Sequence, residues 1–67
     1  MDINLNGAPY QTASACLVEL LAEHAIDATK PGIAVAINDS IVPRAQWPRI
    51  VLKAGDTVEV VRPHSGG

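Results

Sequence analysis

Few residues in this chain of 67 carry reactive chemistry, and they do not assemble into a catalytic set. Cys16, His24 and His64 are scattered and unpaired, which gives no metal-ligand spacing. No nucleophile stands beside a base, no carboxylate pair marks an acid–base site, and no glycine loop suits a phosphate. One group remains, the α-carboxylate of Gly67, carried on Ser65-Gly66-Gly67 after a strand-like run. Two glycines have no side chains, so such an arm can enter a slot where any Cβ would clash. Most chain ends are merely frayed. The elements that hold this one decide between the two readings.

Sixty-seven residues allow one domain, 1–67, with residues 62–67 expected to be a flexible C-terminal tail. Hydrophobic residues make up 48%, enough for a folded core, and that core must be aliphatic because Phe is absent. The net charge of −2 and the lack of a basic run argue against nucleic acid as a partner. A lone Cys16 fits a reducing compartment. The polar residues in the first six positions lack the apolar core of a signal peptide, and no stretch approaches membrane-spanning length. The expectation is a cytoplasmic protein, monomeric when free, with no membrane contact and no bound metal or cofactor.

The periods place the elements. Ile3 and Leu5 alternate with polar residues as a strand, and Asn6-Gly7 turns it into a hairpin whose return covers residues 9–12. Leu17, Leu20, Leu21 and His24 share one helical stripe opposite Glu19 and Glu23, which read as a solvated face. Ser14 is the expected N-cap, and the helix should fade near Ala25. His24 near the helix end reads as structural, and Cys16 as a small buried or half-buried residue.

Residues 33–37 alternate again, with Ile33, Val35 and Ile37 inward and Ala34 and Ala36 outward. After the turn at Asn38-Asp39-Ser40 comes a short strand at Ile41-Val42, ended by Pro43. Residues 43–49 read as irregular, with Trp47 capping the core or anchoring a partner, and Arg44 paired with Asp39 or Asp56 or else touching a partner. Residues 50–52 read as buried. The Gly55-Asp56 turn then leads into a last strand over 57–62. The architecture expected is α+β: a small mixed sheet, one main helix packed on one face, and the first and last strands parallel at the centre. Val61 then points opposite to Val58 and Val60, making it an exposed apolar contact beside Ala34 and Ala36.

Several of these features occur in one order. They are Asn6-Gly7, Val35-Ala36-Ile37-Asn38, Ile41-Val42-Pro43-Arg44, Trp47, Gly55-Asp56 and the terminal Gly66-Gly67. Together they resemble the sulfur-carrier family of thiamine biosynthesis, the ThiS family, over essentially the whole chain. Two departures are Cys16-Leu17 at the helix start and the polar Pro63-His64-Ser65 approach to the diglycine.

The resemblance implies a ubiquitin-like β-grasp fold and a carrier that is not itself an enzyme. A ThiF-like activating enzyme would spend ATP to adenylate the Gly67 carboxylate. Sulfur from a cysteine desulfurase would then replace AMP as a thiocarboxylate, which a ThiG-like thiazole synthase accepts. Gly67 would thus carry AMP and then sulfur, with Gly66, Ser65, His64 and Arg62 as the tail that enters a partner. Val61, Ala34, Ala36, Arg44 and Trp47 are the candidate partner surface. Three other readings stay open: a carrier for molybdopterin or cysteine formation, a ubiquitin-like protein modifier, and an interaction domain with an inert tail.

Overall fold

The computed structural model describes residues 1–62. The tail positions His64, Ser65, Gly66 and Gly67 therefore lie outside the described residues. The chain runs β1 (Asp2–Leu5), β2 (Ala8–Gln11), α1 (Leu17–Glu23), β3 (Ala34–Ile37), β4 (Ser40–Ile41), a 3-10 helix (Arg44–Arg49) and β5 (Thr57–Val61). The five strands form one mixed sheet in the order β2-β1-β5-β3-β4.

The sheet is built from two tight hairpins and one long-range pairing. Asn6 and Gly7 have φ of 51° and 83°, and Asn38 and Asp39 have 51° and 69°. Positive φ at both central residues is what a two-residue turn needs to match the twist of its strands. Between these hairpins lies β5, parallel to β1 with Leu5 opposite Val58, and antiparallel to β3 with Val35 opposite Val60. The parallel seam is closed by Asn4 N–H to Asp56 O and Asn6 N–H to Val58 O, both 2.9 Å. Beyond the end of β1, the Asn6 side-chain oxygen accepts from Val60 N–H at 2.8 Å and so lengthens the seam.

The apolar stripe of α1 seals one face. Leu17, Leu20 and Leu21 join Ile3, Val35, Val58, Leu52 and Trp47 in a single buried core. Within residues 43–49, expected to be irregular, Arg44–Arg49 instead form a 3-10 helix whose Trp47 is 2% exposed and donates its indole N–H to Val42 O at 2.9 Å. A buried indole needs an acceptor, and the short helix supplies the geometry. Residues 50–52 are only partly buried: Leu52 is in the core, whereas Val51 is 67% exposed and bridges to Cys16.

Two polar expectations are corrected. Ser14 does not cap α1. The N-cap is Cys16, which makes no side-chain cap bond, and the first N–H, from Leu17, donates instead to Ile50 O at 3.1 Å. The segment alongside the helix thus does the work of a cap, and Glu19 adds an acceptor for Ala15 N–H at 3.0 Å. Glu23 is exposed, yet it is no free surface charge. Its carboxylate accepts from the Tyr10 and Thr12 hydroxyls, the latter at 2.6 Å, and from Ser14 at 2.5 Å. Thr12 and Ser14 are themselves buried, so Glu23 satisfies hydroxyls that would otherwise lack partners.

Those bonds favour the ionised form. Hydrogen bonds from Ser14, Thr12 and Tyr10 hold the Glu23 carboxyl at about 2 instead of 4.5, while the bond from Tyr10 pushes that phenol upward. A depressed carboxyl adds stability that is fully present above 4.5 and fades as pH falls through 4.5 toward about 2. Water around an exposed group limits its size. In thermal unfolding followed across pH, wild type should exceed Glu23→Gln at neutral pH, and the gap should close over that window. A gap that stays constant down to pH 2 would show that the carboxylate charge is not what ties β2 to α1.

Candidate functional site

β5 ends at the sheet's centre, and the residues flanking its end are those the sequence singled out as a candidate surface. Strand alternation turns Val58 and Val60 inward and leaves Val61 outward, opposite Ala34 on β3. Val61 is 61% exposed. Ala34 is also exposed and Ala36 half-buried, and Ala36 pairs with Ile41 of β4, which is 73% exposed. Val61, Ala34, Ala36 and Ile41 thus form an apolar strip across three strands, and Glu59, opposite Ala36, borders it.

Ile41 was not singled out from sequence, although the signal was present. A two-residue turn at Asn38-Asp39 fixes Ile37 against Ser40 and Ala36 against Ile41, so an outward Ala36 forces an outward Ile41. Small residues at 34 and 36 keep the strip low between its two larger side chains.

Arg44 and Trp47 lie elsewhere. The Arg44 guanidinium donates to Ala28 O and, at 2.7 Å, to Lys30 O, and it stacks 4.4 Å from the centre of the Trp47 ring. It is an anchor, but its partners are backbone carbonyls and not Asp39 or Asp56. Asp56 instead accepts from Lys53 N–H at 2.8 Å and from the Asn38 amide at 3.1 Å. Two parallel carbonyl contacts and a ring face suit the planar fork of arginine better than any single carboxylate. Trp47, buried beneath it, offers no surface to a partner.

The remaining reactive residues stay apart. Cys16 is half-buried with a free thiol, His24 ends α1, and Glu23 is fully engaged by hydroxyls. Among the described residues no group of three or more His, Cys, Asp or Glu is placed to hold a metal ion. No described helix is long and apolar enough to cross a membrane.

A mixed five-stranded sheet, one helix across it and a last strand leading out of the centre define a ubiquitin-like β-grasp domain. Solved structures agree. The crystal structure of the thiamine biosynthesis protein ThiS from Geobacter metallireducens matches with a TM-score of 0.79 at 27% identity, covering 100% of both chains. The solution structure of a thiamine biosynthesis protein from the same organism matches with a TM-score of 0.81 at 27% identity, over 100% of this chain and 88% of that one. The sulfur carrier protein ThiS of Escherichia coli K12 is 36% identical over 67 residues, the full length of both. The ThiS family model matches residues 3–67, and the chain belongs to that family.

The Arg44 geometry has a direct consequence. Arg44→Ala removes both carbonyl contacts and the ring stacking, and should lower urea-unfolding stability by about 1–2 kcal/mol. An unchanged urea midpoint would mean that these contacts do not hold the loop after α1.

Proposed function

We propose that this chain is a sulfur carrier for thiamine biosynthesis, with Gly67 as the point of attachment. The observation that carries the reading is the match to the ThiS family reaching through residue 67, in a chain whose last strand leads into a terminal Gly66-Gly67. The thiamine pathway stands ahead of molybdopterin or cysteine formation because the relative at 36% identity and both solved structures carry ThiS or thiamine biosynthesis in their names.

The chemistry asks little of the carrier. A carboxylate is a poor electrophile, so its oxygen attacks the α-phosphorus of ATP on a ThiF-like enzyme, expelling pyrophosphate and leaving an acyl-adenylate. The terminal sulfur of a persulfide, supplied through a cysteine desulfurase, attacks the acyl carbon and expels AMP. A donor thiol then breaks the sulfur–sulfur bond, leaving the thiocarboxylate on Gly67 and a disulfide on the donor. Thiazole synthase takes that sulfur. Each step draws its acid, base or metal from the partner, and the carrier contributes reach, a thin tip and a docking face.

That face is the strip of Val61, Ala34, Ala36 and Ile41, with Arg62, His64, Ser65 and Gly66 following the arm into the partner. Apolar side chains left exposed on a sheet are a recognition surface at low desolvation cost. Deleting Gly66 and Gly67 should abolish ATP–pyrophosphate exchange with the activating enzyme, whereas exchange that survives the deletion would mean that the carboxylate is not the substrate. Val61→Asp should leave the melting temperature nearly unchanged while cutting kcat/KM by about tenfold or more with the activating enzyme or thiazole synthase. Equal turnover with both would remove the strip from the interface.

A further inference from the structure

A cleft opens between the C-terminal end of α1 and the strands β1 and β5. Leu5, Leu21 and Val60 wall it, and Arg62 stands where the described chain ends. His24 also lines it, and its Nε2 is buried with no hydrogen-bond partner among the described residues. The imidazole is held from behind. His24 is the C-cap of α1, Ala25 and Ile26 N–H close the helix onto Ala22 and Leu21, and the Tyr10 ring lies 5.0 Å away. Asn6 shares the lining. Its oxygen is taken by Val60 N–H, which leaves the amide NH2 as its remaining polar group.

His24 and Asn6 have no role in the carrier chemistry and Arg62 enters it only as the start of the arm, yet the three agree with one another. Guanidinium and amide NH2 only donate, and the imidazole can donate through Nε2–H in the tautomer that carries its proton there. Their residues line one hollow together with aliphatic side chains, and no acidic residue is among the described residues that line it. A buried ring nitrogen without a partner costs stability that a suitable ligand returns. A donor set of this kind, with one fixed cation, matches a carboxylate on a short aliphatic stem.

We propose that the cleft receives a glutamate or aspartate side chain of the protein that engages the chain's end. Its stem lies against Leu5 and Val60, and its oxygens face His24 and Arg62. Assigning the acid to a partner rests on the carrier reading: Arg62 begins the arm, so a protein gripping the arm borders the mouth of the cleft. The preference for a carboxylate rests on the cleft alone.

The two parts are tested separately. In NMR titration of the labelled full chain with butyrate, which mimics a glutamate side chain, the His24 ring signals and the Leu5 and Val60 methyl signals should shift saturably. Butyramide should produce far less. His24→Leu should keep the folded spectrum and lose the response, while His24→Gln, which retains a donor, should keep part of it. No shift, or an equal shift with butyramide, overturns the site. Binding of His24→Leu to the activating enzyme or to thiazole synthase should be about tenfold weaker than wild type. Unchanged affinity for both overturns the partner assignment, and thiocarboxylate still formed on that variant would show that the carrier reading survives.

Discussion

The fold depends on β5 taking the centre of the sheet. Until it arrives, β1–β2 and β3–β4 are two separate hairpins, and an isolated hairpin is marginal in water. Val58, fully buried, faces the stripe of α1 from the middle of the core, while Asn4, Asn6 and Asp2 supply the backbone partners that hold the seam and the turn before it. This pairing joins the two ends of the chain, so its loop-closure entropy is met only when the core forms with it. The same placement ends the last described strand at the middle of the sheet and not at its edge.

The two sides of the sheet are treated differently. Under α1, each buried hydroxyl and the buried indole has an acceptor: Glu23 for Thr12 and Ser14, Val42 O for Trp47. That side is packed except at the cleft beside His24. The outer face, from Val61 across Ala34 and Ala36 to Ile41, carries exposed aliphatic carbons and little that needs a hydrogen bond. A small domain can leave such a strip uncovered because two of its four members are alanines.

What was legible in sequence followed from periodicity. The alternation in β1, β3 and β5, the helical stripe Leu17-Leu20-Leu21 and the Asn6-Gly7 turn are local patterns found where expected, whereas the second turn is one residue shorter than expected, with Ser40 already in β4. What was not legible depended on approach in space. Nothing near Glu23 in sequence says that Tyr10, Thr12 and Ser14 will converge on it, because β2 must first pack beside α1. Arg44 read as an ion-pair partner because carboxylates are its commonest match, but the loop after α1 brought it carbonyls. Ser14 looked like a cap by residue type, and the segment 50–52 displaced it by bringing a carbonyl to the same N–H. Ile41 is the instructive miss, since the turn length alone fixed its side of the sheet.

The most direct test of the carrier reading is the intact mass of the protein purified from cells that contain the activating enzyme and the sulfur donor. A gain equal to exchanging one oxygen for one sulfur, located at Gly67 by fragmentation and absent when Gly67 is deleted, is the predicted result. An unmodified mass under those conditions, or a mass gain placed on Cys16, would contradict it.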